Sequence, residues 1–373
     1  MHFHQAFITR YRRRRRFLSK YSSTRNTIHK KKKKYIIKMK IVILNAPCNG
    51  FGDVVYAYKL YAMLKKTYDV ILFTTRKKDF TMLTNDTNEI HSFVTKNGTE
   101  ITNAKSQCRR FSNIRVPAKL SKSLNENDIY INAPLQTDFI PSVYDISVML
   151  SFKVKNVLIM TEYNHPENDH RDVLSIGAGE AGLIYPNMLI PEKYDNGNFK
   201  FTIAYAADNE TQALNFQLHE YFKSFKKTKT LLEVHCNPIV YNWYKKNTSR
   251  RVKNVRLDED EDKGENVVLV GGKFPIPYLQ MLSAWKNCSG NLFCTGDQSV
   301  SDAIYYNYNK NKIYYQVMGW KLDLALGIKK EWKNARLRGT KTRKNVLLIL
   351  PPTNKIVPSA QKKIEDEIKN LVG

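Results

Sequence analysis

Asn291-Leu292-Phe293-Cys294-Thr295-Gly296-Asp297-Gln298-Ser299-Val300-Ser301-Asp302-Ala303-Ile304 reads as a short apolar strand, a Gly-Asp turn and a helix start. Lys312-Ile313-Tyr314-Tyr315-Gln316-Val317-Met318, shortly after it, reads as the next strand. Strand, turn, helix and strand in this order form the repeating unit of an open α/β sheet. In such a unit the first N–H groups of the helix project from the carboxyl edge of the sheet. With a Ser hydroxyl beside them they suit an anion such as a diphosphate. A matching turn, Asn49-Gly50-Phe51-Gly52-Asp53, stands near the other end of the chain. Two such turns in two α/β halves predict a ligand in the cleft between them.

Outward from these turns the alternation continues. Ile41–Leu44 is a continuous apolar run, as a strand covered on both faces requires. A helix is expected from Asp53 to about Lys66, then strands at Val70–Phe73, His91–Val94, Asp128–Asn132 and Val154–Met160. Residues 97–123 are polar and take no assignment, and Ile176–Pro186 reads as a Gly-rich loop near the cleft. Pro191–Asn198 is the best linker. A second series follows, with strands at Phe201–Tyr205, Leu231–Val234, Val252–Leu257, Val267–Val270, Leu292–Thr295 and Ile313–Val317. Its helices are expected at Glu210–Phe225, between the next two strands, and at Tyr278–Trp285. Asn345–Leu350 reads as one more strand, and a helix over Ser359–Val372 either closes the second half or crosses back to the first. The expected fold is α/β, with two Rossmann-like domains of parallel sheet facing across a cleft. Their spans are 39–195 and 196–373, after a basic tail at 1–38.

The chain has 373 residues, 42% hydrophobic and 12% aromatic, enough for two real cores. Residues 1–38 hold 14 Lys and Arg and no acids, so removing them takes the net charge from +27 to +13. That tail has three readings: an anchor for nucleic acid or an anionic membrane, a targeting presequence, or a segment ahead of a natural start at Met39. An anionic partner is therefore a candidate. No apolar run is long enough to span a membrane, and five cysteines without metal-ligand spacing suit a reduced, cytoplasmic setting. His165 and His170 are spaced by five across Pro166, which does not make a helical metal pair, so no metal site is expected. The run Asp258–Asp262 reads as a solvated turn. Neither a Walker loop nor a Gly-x-Ser-x-Gly nucleophile elbow is present.

Each turn residue has a bland and a chemical reading. Asp53 is either the N-cap of its helix or a general base at the cleft mouth, where the flanking Gly50 and Gly52 let backbone approach a ligand. Ser299 or Asp297 is an N-cap in the bland reading; in the chemical one the Gln298 and Ser299 N–H groups and the Ser299 hydroxyl hold the anion, while Asp297 bonds a sugar hydroxyl or orders the loop.

Asn49-Gly50-Phe51-Gly52-Asp53-Val54-Val55 resembles the N-terminal Gly-Asp motif of heptosyltransferases and protein-arginine rhamnosyltransferases, whose Asp is a proposed base. Gly272–Leu282 followed by Thr295–Ala303 is similar to the second-domain run of GT-B glycosyltransferases, in which a Pro-led helix, a strand and a Gly-x-x-Ser-x-x-(Glu/Asp)-Ala turn surround the donor diphosphate. The resemblance spans roughly residues 40–330 in layout, and these two motifs carry it. It implies a first, acceptor domain and a second, donor domain. Asp53 would be the base, with Asn49, Gly50 and Gly52 as the cleft loop. Gly296, Gln298, Ser299 and Lys273 would hold the diphosphate, and Asp297 and Asp302 would contact the donor sugar or ribose. It also implies a nucleotide sugar as substrate, no further cofactor, and a metal-independent, inverting transfer to an unidentified protein, glycan or lipid-linked acceptor. Lys273 and Lys321 are the candidates for neutralising the diphosphate, and no clear basic residue is otherwise in place. Two other outcomes stay open: an epimerase of the UDP-N-acetylglucosamine 2-epimerase type, or an inactive GT-B-like or nucleic-acid-binding protein.

Overall fold

A computed structural model describes residues 39–47, 51–95, 97–102, 114–133, 156–161, 173–175, 183–208, 211–226, 228–247, 254–260, 265–339 and 346–372. The basic tail, Asn49, Gly50, His165, His170, most of the Gly-rich loop and two of the cysteines, Cys48 and Cys108, lie outside them.

Met39–Gly373 forms one compact unit built on two large sheets. The first contains β1 (Lys40–Asn45), β2 (Asp69–Thr74), β3 (Ile90–Ser92), β6 (Ile129–Asn132), β7 (Asn156–Thr161) and β8 (Val173–Ser175). They lie in the order β3-β2-β1-β6-β7-β8, all parallel. A separate antiparallel pair, β4 (Val94–Thr95) and β5 (Ile114–Arg115), splits the strand expected over His91–Val94 into two. The chain leaves the main sheet at the fully buried Phe93.

The second sheet is made of β9 (Phe201–Ala204), β10 (Leu232–Cys236), β11 (Arg256–Leu257), β12 (Val267–Val270), β13 (Leu292–Thr295), β14 (Ile313–Val317), β15 (Arg336–Gly339) and β16 (Val346–Leu350). Its order is β11-β12-β10-β9-β13-β14-β16-β15. The parallel body is doubly wound, with β9 central and the chain running first to one side and then to the other. The last two strands add antiparallel, so the sheet is mixed rather than wholly parallel.

The apolar runs explain the layering. Ile41 and Ile43 face a core with helix α1 (Gly52–Leu64), while Val42 and Leu44 face a second cluster on the other side of the sheet. Leu292 and Cys294 of β13 likewise face one core, containing Trp285 and Ile304, and Phe293 faces another built on Tyr221, Phe222 and Tyr244. Each strand therefore buries both faces, which removes the alternation that marks a half-exposed strand.

Helices α2 (Thr211–Phe222), α3 (Pro238–Lys246), α4 (Tyr278–Asn287), α5 (Asp297–Asn307) and α6 (Leu322–Glu331) cover the second sheet, and α7 (Gln361–Val372) comes last. Ile364 and Ile368 of α7 are fully buried in the core of the first sheet, so the C-terminal helix crosses back. No helix among the described residues is long and apolar enough to cross a membrane.

Candidate functional site at the facing helix starts

Both sheets have their switch point, where strand order reverses, at the strands that feed the two Gly-Asp turns. In the first it lies between β1 and β6, and in the second between β9 and β13. Ligands of doubly wound folds bind outside the carboxyl ends of strands at such points.

Buried carboxamides shape both. Asn45, fully buried at the end of β1, donates to the Asp53 carbonyl (3.3 Å) and the Ala133 carbonyl (3.0 Å) and accepts from the Thr74 hydroxyl (3.0 Å). It thus ties the start of α1 to the ends of three neighbouring strands. In the second half Asn237 caps α3 and brackets Ala206, accepting from its N–H (3.2 Å) and donating to its carbonyl (2.7 Å). Gln316 brackets Ala207 in the same way, at 2.9 and 3.3 Å. These clamps were not read from the sequence. Their signal was there: a lone carboxamide within or just after an apolar strand has to satisfy its polar atoms inside the protein.

Asp53 is the second residue of α1, behind Phe51 at the cap position, and only 6% of it is exposed. Asp297 is the first residue of α5, behind Gly296 at the cap. Phe51 and Gly296 hold the cap positions and make no side-chain cap bond, so Asp53, Asp297 and Ser299 are not the N-caps of these helices. Gly296 has φ 81° and ψ 145°, a region open essentially to glycine alone. A Cβ there would meet nothing within 4 Å, so strain alone opposes it. Gly296→Ala is expected to cost about 1–3 kcal/mol. Thermal unfolding of the variant checks this, and an unchanged midpoint would mean the turn has another conformation to adopt.

The two turns, distant in sequence, meet. A Cβ on Gly52 would lie 3.5 Å from Asp297 Oδ1 and 3.8 Å from Gln298 Cγ. The starts of α1 and α5 therefore converge, each with the partial positive charge of a helix N-terminus. Lys321 closes one side. It stands at the end of the turn Gly319–Lys321 after β14, and its Nζ lies 2.5 Å from Asp297 Oδ1. Ser299 is half-buried beside them.

Asp302 has other partners. It lies within α5, 1% exposed, with Oδ1 2.6 Å from Lys59 Nζ and Oδ2 accepting from the Tyr278 hydroxyl at 2.9 Å. Burial pushes its carboxyl above the usual carboxylate range, while Lys59 and Tyr278 pull it down. Lys59, from the middle of α1, also donates to Gln298 Oε1 (3.0 Å) and the Ile184 carbonyl (3.1 Å), and Ser301 donates to the same carbonyl (2.7 Å). Asp302 and the Gln298 side chain thus join the two halves from inside, away from the open edge.

Lys273 sits in the loop after β12, near the buried His235. His235 Nε2 lies 2.6 Å from Glu233 Oε2, and its Nδ1 lies 2.8 Å from the Tyr194 hydroxyl in the linker. Burial lowers the imidazole pKa, Glu233 opposes that, and Lys273 adds to it. Farther along the same edge a cavity of about 270 Å³ is lined by Pro238, Tyr241, Asp258, Gly271 and Gly272 among others. Among the described residues no group of three or more His, Cys, Asp or Glu side chains could hold a metal ion.

No family model matches the chain, and no curated protein sequence matches it. Solved structures do resemble it. MurG of Acinetobacter baumannii aligns over 79% of this chain and 84% of its own at 13% identity, with a TM-score of 0.41. MnaA of S. aureus, solved with UDP, aligns over 73% and 78% at 8% identity and a TM-score of 0.38. The E. coli heptosyltransferase WaaC, solved with ADP, aligns over 68% and 81% at 8% identity and a TM-score of 0.34.

Proposed function

We propose that this chain is a GT-B-type glycosyltransferase that moves a sugar from a nucleoside-diphosphate sugar to an acceptor. The observation that carries the reading is the close approach of Asp297 and Gln298 to Gly52, which brings two helix starts together at the carboxyl edges of two doubly wound sheets. In this reading the Gln298 and Ser299 N–H groups at the start of α5 meet the diphosphate, whose negative charge grows as the bond to the sugar breaks. Asp53, at the start of α1, takes the proton of the acceptor nucleophile as that atom bonds to the anomeric carbon. The leaving nucleoside diphosphate carries away the electron pair of the broken C–O bond. One displacement of this kind inverts the anomeric centre, and no metal takes part in it. Asp297 orders the donor loop through Lys321, and Asp302 joins the halves rather than touching the donor.

The test offers purified full-length protein a panel of nucleotide sugars. Donor binding is measured by calorimetry, nucleoside diphosphate release by a coupled assay, and products by mass spectrometry. Saturable binding with release of the diphosphate supports the reading. An epimerised nucleotide sugar without release assigns the site to an isomerase, and no binding of any donor overturns the assignment.

A further inference from the structure

We propose that the amino edge of the second sheet is a docking surface for an anionic lipid bilayer. Charge is spread unevenly along the chain. Residues 196–373 hold 29 Lys and Arg against 17 Asp and Glu, whereas residues 39–195 are nearly balanced at 18 and 17. Part of the excess gathers where the chain enters β10, β9, β13 and β14, four consecutive strands of the sheet. The segments leading into them, 226–231, 196–200, 286–291 and 308–312, contain seven lysines and no acid. Hydrogen bonds lay these segments side by side. The Glu233 N–H donates to the Lys200 carbonyl (2.9 Å) and the Ser289 N–H to the Phe201 carbonyl (2.7 Å). Asn311 Nδ2 donates to the Cys288 carbonyl (3.1 Å), and the Lys312 N–H to Asn291 Oδ1 (3.1 Å). Lys200, Lys226, Lys229, Lys286 and Lys310 are all exposed. Lys286 suits the end of α4, whose dipole favours a cation, but Lys200 and Lys229 belong to no helix.

Two apolar side chains stand among these lysines. Phe199 is 50% exposed and Leu231 43%. Each lies two residues before the paired Phe201 and Glu233, so they are neighbours at the starts of adjacent strands. The turn that presents Phe199 is fixed by its own bonds, from the Gly197 N–H to Asp195 Oδ1 (3.0 Å) and from Asn196 Nδ2 to the Phe199 carbonyl (3.1 Å). An aromatic and an aliphatic side chain ringed by lysines suit an acidic membrane surface. The apolar pair enters the boundary between headgroups and acyl chains, and the lysines meet the acidic headgroups. Charge excludes two other occupants. A second copy meeting this surface face to face would set lysines against lysines. Residues 1–38, with 14 Lys and Arg and no acids, share its sign. A nucleic acid would gain from the lysines and could stack a base on Phe199, but would leave Leu231 unused. The surface lies at the opposite end of the strands from the Gly296 turn, so docking leaves the cleft open.

The experiment co-sediments full-length protein with phosphatidylcholine vesicles, with and without phosphatidylserine. It compares wild type with a Phe199→Ser, Leu231→Ser double variant and a Lys200→Gln, Lys229→Gln, Lys310→Gln triple variant. Wild type is expected to bind the anionic vesicles and to ignore the neutral ones. All three proteins keep residues 1–38, so a difference between them reports on this surface alone. The serine variant is expected to bind the anionic vesicles about tenfold more weakly, from the apolar area it loses. The glutamine variant should bind about 100-fold more weakly, close to fivefold for each lysine. Either variant binding the anionic vesicles as wild type does overturns the proposal, and so does wild-type binding that takes no account of phosphatidylserine. Wild type that ignores both vesicles but binds DNA, with the loss of affinity falling on the same variants, overturns it too and assigns the surface to nucleic acid.

Discussion

Lys59→Met is expected to lower the unfolding free energy by about 3–5 kcal/mol, the usual cost of stranding one member of a buried ion pair. The substitution keeps the length and apolar stem of the side chain and removes only the ammonium. Asp302, 1% exposed, would keep the Tyr278 hydroxyl but lose its cation, and Gln298 Oε1 would lose its Lys59 donor. Burial already drives the Asp302 carboxyl upward against the pull of Lys59. Without the lysine the folded protein takes up a proton there more readily than the unfolded chain does. The sign follows from linkage: the deficit of the variant should shrink as the pH is lowered through the carboxylate range. Adding Asp302→Asn keeps an acceptor for Tyr278 while removing the stranded charge, and should recover part of the loss. Urea midpoints of the three proteins at neutral and acidic pH check all of this. A Lys59→Met midpoint equal to wild type would show that the pair does not hold the halves together.

The second large effect is on catalysis. Asp53→Asn is expected to cut kcat by about 10²–10⁴-fold, the usual worth of a positioned general base. The amide preserves the size of the side chain and the Asn45 bond, which is made to the Asp53 backbone carbonyl. Nucleoside diphosphate affinity should therefore be retained, since the donor groups belong to α5. Turnover on the donor identified by the panel provides the readout. An Asp53→Asn variant with wild-type turnover would remove the proton-transfer role from this residue.

Much of the architecture was legible because strands covered on both faces leave continuous apolar runs. Ile41–Leu44, Val70–Phe73, Val267–Val270 and Leu292–Thr295 were placed within a residue or two on that signal alone. Helix α6 and strand β15 were not seen. β15 reads Arg336-Leu337-Arg338-Gly339 and is largely exposed, so it carries no apolar run to find. Strand direction was also silent, since Val346–Leu350 is as apolar as the parallel strands of the same sheet and yet pairs antiparallel with β14 and β15.

At the site, the two Gly-Asp turns were legible from glycine punctuation, and their meeting was anticipated from topology. The role of Lys59 was not. α1 is buried almost all round, and a lysine on such a helix has to find acceptors inside the protein. That much follows from the sequence of α1. Asp302, Gln298 and the Ile184 carbonyl as its acceptors come from parts of the chain that only folding brings together.

The return of α7 to the first core has a consequence for the order in which the protein is made. Ile364 and Ile368 complete the layer begun by Ile41 and Ile43, and they are made only after both sheets have been translated. The amino-terminal half therefore cannot bury its full apolar surface while it is being translated. Its exposed patch has to wait, bare or shielded by a chaperone, until α7 has been made.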